Sequence, residues 1–239
     1  MSRKSSRNRP ESTSNPSPND TSPSDRNGWM IATAVVLAAV AAFVVFMWQG
    51  GDPPAADAGG ESRATALASV DAPTLGPADA KVHIVEFLDP ACETCAQFYP
   101  MVKRWLEEQP GQIRLSLRHV AFHEGAEYAV RVLEASRRQD KYWQTLETLL
   151  ASQAAWAPHH TVQPERVLRA IAQVDLDMTQ LQADMSLTEV TQRIARDRAD
   201  AMTLKVTATP EYFVNGRPLP SFGASELQAL VREELQKSP

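Results

Sequence analysis

Glu86-Phe87-Leu88-Asp89-Pro90-Ala91-Cys92-Glu93-Thr94-Cys95 holds both cysteines of the 239-residue chain. Before it, Val82 to Leu88 is β-rich with apolar residues on both alternating faces, which predicts a central strand covered on both sides. After it, Phe98, Met101, Val102, Trp105 and Leu106 fall at helical spacing, and Pro100 is expected to kink that helix near its second turn. A Cys-x-x-Cys pair between a strand and a helix is the setting of a redox motif. A thiolate at a helix N-terminus meets unpaired N–H groups and the positive end of the dipole, so its pKa falls and it becomes a nucleophile near neutral pH. Cys92 is the expected attacker. Cys95, one turn further in, is set to attack the mixed disulfide and release the substrate. Two cysteines so close cannot form the framework that staples small secreted domains, and a zinc site would need four ligands. The redox-active Cys92–Cys95 disulfide is therefore the expected chemistry, with no cofactor and no metal.

Outward from this motif, Ile113 to Val120 reads as a second strand, with Ile113, Leu115 and Leu117 alternating against Arg114, Ser116 and Arg118. A helical stretch over about 125–204 follows, with one apolar stripe from Tyr142, Trp143, Leu146, Leu149 and Leu150 and another from Val167, Leu168, Ile171 and Val174. Tyr212 to Phe222 reads as a hairpin turning at Asn215-Gly216, its second strand confined to an edge by Pro218 and Pro220. A last helix is expected from Ser225 to Gln236, opened by a Ser225-x-x-Gln228 capping box. Strand, helix, strand, helices, hairpin, helix is not a doubly wound order, because the last strands are antiparallel neighbours. It fits a small mixed sheet. His119, His123, His159 and His160 do not carry a metal reading, since the adjacent pair follows Trp156-Ala157-Pro158 and reads as a loop between helices. Glu86 shares a strand face with Ile84 and Leu88, which predicts a carboxylate buried near the cysteines, six residues before Cys92. Such a group either acts at the site or is satisfied by a basic or backbone partner.

The motif around Cys92 and Cys95, together with Thr209-Pro210 before Glu211-Tyr212-Phe213-Val214-Asn215-Gly216, resembles the DsbA branch of the thioredoxin superfamily over roughly residues 70–237. The resemblance implies an α/β, thioredoxin-like fold with a mixed central sheet, a helical domain inserted at about 125–204, and protein thiol-disulfide oxidoreductase activity. It implies a cis Pro210 against the active-site pair and a substrate chain lying along Thr209, with Glu93 and Thr94 beside it. It further implies that Glu86 is a proton acceptor or electrostatic tuner for Cys95. The Glu-Thr dipeptide differs from the Pro-His of the best-known oxidases of this family. An acid next to the thiolate should raise its pKa and weaken the oxidant. Three readings stay open: an oxidase recharged by a quinone-linked membrane partner of DsbB type, a reductase or isomerase supplied with electrons by a partner of DsbD type, and a non-enzymatic copper chaperone.

The N-terminal quarter differs in character. Residues 1–28 are rich in Ser, Asn, Pro and Arg and read as a disordered cytoplasmic tail. From Trp29 to Trp48 no charge interrupts an apolar run long enough to cross a bilayer, with a tryptophan for each interface. A cleaved leader would have a shorter apolar region. Arg3, Lys4, Arg7, Arg9 and Arg26 precede the run, whereas Asp52, Asp57 and Glu61 follow it, so the C-terminal bulk is expected outside the cytoplasm. Residues 49–78 read as a Gly- and Pro-containing flexible tether with a reach on the order of 30 Å, and 79–237 as the catalytic domain. The expectation is a single-pass, inner-membrane monomer whose periplasmic domain acts on cysteine-containing exported proteins. A net charge of -5 with scattered cations gives no nucleic-acid surface. A reporter fused after Pro239 should be active only outside the cytoplasm; a soluble exported product beginning near residue 60 would show that the apolar run is removed.

Overall fold

A computed structural model describes residues 55–69 and 71–237, so the tail, the apolar run from Trp29 to Trp48 and the first residues of the expected tether lie outside the described residues. Among the described residues no helix is long and apolar enough to cross a membrane.

The sheet has five strands in the order β1-β3-β2-β4-β5, comprising β1 (Thr74–Leu75), β2 (Val82–Leu88), β3 (Ile113–His119), β4 (Glu211–Val214) and β5 (Arg217–Pro218). The central strand β2 runs parallel to β3 and antiparallel to β4, and β1 and β5 form antiparallel edges. Both faces of β2 are largely apolar, interrupted by His83 and Glu86. Val82, Ile84 and Leu88 pack into a core with Cys95, Tyr99 and Val102 of α2 (Glu93–Glu108). Val85 and Phe87 face a second cluster with Val120, Val206 and Phe213. Glu86 points to the first face and is fully buried there.

Between β3 and β4 the chain is helical: α3 (Ala126–Ser136), α4 (Tyr142–Ala151), the single turn α5 (Gln153–Trp156), α6 (Pro164–Ala170), α7 (Met178–Asp184) and α8 (Thr188–Leu204). The final helix α9 (Ala224–Gln236) sends Leu227, Leu230 and Val231 into the first core. Its N-cap is Gly223, and the Ser225 hydroxyl bonds Glu226 at 2.8 Å, so the capping box expected with Gln228 does not form. The hairpin turns at Asn215 and Gly216 (φ 48° and 79°), as Asn-Gly favours. Its second strand is shorter than expected, because Pro218 and Pro220 cannot donate to the ladder.

The tether expected over 49–78 needs correction. It contains the helix α1 (Ala55–Leu67) and the edge strand β1. Alanine-rich sequence is a good helix former even around glycines, and the end of α1 is held by packing: Ala66 is buried against α8, and Arg118 donates from Nη1 to the Ala66 carbonyl at 2.7 Å, satisfying one of the helix's terminal acceptors. Arg118 is itself fully buried. Its Nε donates to Asp197 of α8 at 2.6 Å, another nitrogen pairs with Asp200, and its guanidinium lies 5.4 Å from the Phe87 ring centroid. Arg118→Ala leaves Asp197 buried without its cation and should cost about 3–5 kcal/mol in urea unfolding; a loss of only a few tenths would show that the pair does not hold α8 and α1 to the sheet.

Candidate active site

Cys92 is the N-cap of α2, and its backbone is extended while the next residue begins the helix. The turn that delivers it is built on Asp89, a fully buried carboxylate at the end of β2. Its Oδ1 accepts from the Ala91 amide at 2.8 Å, an Asx turn that spans Pro90. Its Oδ2 accepts from the amides of Phe122 and His123 and pairs with His123 Nδ1 at 2.8 Å. The helical segment holds the same turn from the other side. The side-chain amide of Gln153, 6% exposed, donates to the carbonyls of Pro90 at 2.7 Å and Cys92 at 2.9 Å. The His160 ring, stacked on His123 with centroids 4.9 Å apart, lies 3.3 Å from the Ala91 carbonyl.

Both cysteines are free thiols and both are buried, Cys92 at 7% exposure and Cys95 at 0%. The Thr209–Pro210 peptide is cis, Pro210 is buried, and in its thiol form Cys92 Sγ donates to the Thr209 carbonyl at 3.2 Å. The two sulfurs have opposite acidities. The Cys92 pKa is drawn down to about 5, first by a hydrogen bond from Cys95, against the opposing effect of burial, and then by the Thr209 side chain and the amides of Cys95 and Thr94. Burial pushes the Cys95 thiol well up, and the neighbouring Cys92 and Glu86 add to it. Glu86 has neither carboxyl oxygen in a hydrogen bond of normal geometry. Burial raises its pKa to about 8, opposed by the nearby Tyr212 hydroxyl and assisted by the charge on Cys92.

All seven residues singled out from the sequence thus fall around one point, with different parts. Cys92, Cys95 and Glu86 interact with one another, Thr209 bonds Cys92, and the buried cis Pro210 follows Thr209 directly. Thr94 contributes its amide and is half-buried. Glu93 is exposed, and Cys92 owes its low pKa to the other groups, so the expected elevation by Glu93 does not govern the site. Water screens a carboxylate in that position. Sequence reasoning missed Asp89, Gln153 and the His123–His160 stack. Asp89-Pro90 at a strand end is a recognisable turn signal; Gln153 has none, because its partners are main-chain carbonyls some sixty residues away. His119 bonds Tyr142 at 2.7 Å, away from this cluster, and among the described residues no three metal-binding side chains converge.

The signs for stability follow from these shifts. Cys92, depressed from 9.0 to about 5, contributes stability to the reduced protein at high pH that is lost as pH falls toward 5. Glu86, raised from 4.5 to about 8, contributes stability at low pH that is lost as pH rises through 8. Between about 5 and 8 the two trends oppose each other.

A family model described as Thioredoxin matches residues 68–233. A crystal structure of a thioredoxin-like oxidoreductase from Silicibacter pomeroyi is 31% identical, covers 72% of this chain and 98% of its own, and superposes with a TM-score of 0.62. A probable disulfide bond formation protein D of Bacillus anthracis is 26% identical over 172 residues, 69% of this chain and 78% of that protein. A Na(+)/H(+) antiporter NhaA of Herminiimonas arsenicoxydans is 30% identical over 144 residues, 60% of this chain, and the match spans only 22% of the antiporter's length.

Thiolate absorbance should report Cys92 titrating near pH 5 in the wild type. Cys95→Ala removes the largest stabilising hydrogen bond and should move that midpoint up by about one pH unit or more, while Glu93→Gln should move it down by only a few tenths, roughly. A Glu93→Gln shift larger than that of Cys95→Ala would reverse the assignment of what controls the thiolate.

Proposed function

The chain belongs to the thioredoxin family, and from that membership we propose that it is a protein thiol-disulfide oxidoreductase that oxidises cysteine-containing exported proteins. The observation that carries this reading is the acidity split at one helix N-terminus, with Cys92 at about 5 and Cys95 well above an ordinary thiol. A stabilised thiolate favours the reduced pair and so makes the disulfide a stronger oxidant. Relatives described as a thioredoxin-like oxidoreductase and a disulfide bond formation protein support the same chemistry.

In the proposed cycle a substrate thiolate attacks Cys92 Sγ of the Cys92–Cys95 disulfide. The S–S bond breaks, Cys95 leaves as a thiolate and takes a proton, and a mixed disulfide joins Cys92 to the substrate. A second substrate thiolate then attacks the substrate sulfur of that bond, forming the substrate disulfide and releasing Cys92 as the stable thiolate. Two electrons pass to the enzyme, and a membrane redox partner of DsbB type removes them. Thr209, Glu93 and Thr94 line the approach to Cys92 and contact the substrate chain, Pro210 shapes that approach, and Glu86 exchanges the Cys95 proton. The apolar run from Trp29 to Trp48 and the cations before it support a single-pass anchor with the catalytic domain on the periplasmic side.

Equilibration with glutathione tests the direction. The pair should remain largely reduced in mixtures where glutathione itself is substantially oxidised, and Cys95→Ala should trap mixed disulfides with exported proteins that Cys92→Ala does not. A pair that oxidises before glutathione does would assign the reductase direction, and trapping by neither variant would remove the enzymatic reading.

A further inference from the structure

Glu86 and Tyr212 are directly opposed across the β2–β4 ladder, so their side chains leave the sheet on the same face. Both are 0% exposed, and the two Glu86 oxygens and the Tyr212 hydroxyl are all without a hydrogen bond of normal geometry. A lone buried carboxyl or hydroxyl is destabilising, and here two stand beside each other. The other titratable groups around Glu86 all come from α2: Cys92, Cys95 and Tyr99. From β3 the opposed residue is Leu117, which offers no polar atom. Tyr99 donates its hydroxyl proton to Glu147 at 3.2 Å, turned toward the surface pair that Glu147 makes with Lys103. That leaves Tyr212 as the donor available to the carboxylate. The Tyr212 ring is fixed by stacking on Phe98 at 6.2 Å, with Phe222 stacked beyond at 4.9 Å.

We propose that Tyr212 is a positioning residue whose hydroxyl steadies the Glu86 carboxylate in the state that takes the proton from Cys95. The inference rests on the assignment of Glu86 as the group that exchanges that proton. In the step concerned, Cys92 is joined to a substrate sulfur. The Cys95 thiol gives its proton to the Glu86 carboxylate, the Cys95 thiolate attacks Cys92 Sγ, the Cys92–Cys95 bond forms, and the substrate sulfur leaves as a thiolate with the electron pair of the broken bond. A hydrogen bond to the charged form lowers a carboxyl pKa, and the Tyr212 hydroxyl acts in that sense on Glu86. Without it Glu86 holds its proton to higher pH, and the base needed for the step is present over a narrower range.

Tyr212→Phe keeps the ring and its stack and removes one oxygen. The full-length protein is reduced and mixed with oxidised glutathione, and the first-order resolution of the Cys92–glutathione mixed disulfide is followed by rapid quench across pH. The Glu86 carboxyl is titrated in parallel by carbon-13 NMR. The expected result is that the rising limb of the resolution profile and the Glu86 midpoint both move to higher pH in Tyr212→Phe, making resolution several-fold slower below the limb, with Cys92 titration nearly unchanged. Glu86→Gln should remove the limb. If Glu86→Gln leaves the limb in place, the proton-exchange role of Glu86 fails and takes the inference with it. If Glu86→Gln removes the limb while Tyr212→Phe moves neither profile nor NMR midpoint, the role of Tyr212 alone is overturned.

Discussion

A thiolate has to be stable at a nearly dry sulfur, and the described residues meet that requirement without a cation. Cys92 is 7% exposed, and the groups that lower its pKa are the Cys95 thiol, the Thr209 side chain and two amides at the start of α2. Every one of those is a dipole, and dipoles stabilise charge only when they are held in place. The surrounding architecture can be understood as the means of holding them. The β2 strand sets the height of the Cys92 turn, α2 supplies the amides and Cys95, and the segment before β4 brings Thr209 across the sheet from 117 positions away in sequence.

Asp89 carries much of that burden. It is a buried carboxylate with both oxygens hydrogen-bonded, Oδ1 to the Ala91 amide and Oδ2 to two amides of the loop after β3 and to His123. Removing it would release the turn before Cys92 and the loop that leads into α3 together. Gln153 and His160 reach the same turn from the helical segment, at the carbonyls of Pro90, Ala91 and Cys92. The helices between β3 and β4 are therefore more than a cover over the sheet. They fix carbonyls of the turn that leads into the Thr94 and Cys95 amides on which the thiolate depends, so packing around Gln153 and Trp156 bears on the chemistry.

Much of this was legible in the chain itself, for a definite reason. Period-2 and period-3.6 patterns are local, and they located β2, α2, β3 and the face on which Glu86 lies. The Cys-x-x-Cys signal located the pair between strand and helix, and the resemblance at Thr209-Pro210 brought in the distant strand. Interactions whose partner is a main-chain atom were not legible. Gln153 and His160 act on carbonyls, and α1 is secured by Arg118 through the Ala66 carbonyl, so a stretch with the composition of a tether is packed against α8. Glu93 adjoins Cys92 along the chain, but its side chain is exposed, solvent screens its charge, and the groups that lower the Cys92 pKa are others.

The placement of Glu86 follows from the same electrostatics. Burial first, and then the charge on an ionised Cys92, keep Glu86 neutral up to about pH 8. When Cys92 becomes bonded to a substrate sulfur its charge is gone, and Glu86 can ionise in its place. Transfer of the Cys95 proton then moves the charge to Cys95 just as that sulfur attacks. In the resolution step the charge passes from Cys92 to Glu86 to Cys95, and in the proposed oxidising cycle it passes in the reverse order, so the pocket holds about one negative charge at a time. A buried carboxyl without a salt-bridge partner would be a defect in an inert core. In the proposed cycle it is the neutral counterpart that lets a single charge pass between two sulfurs of opposite acidity.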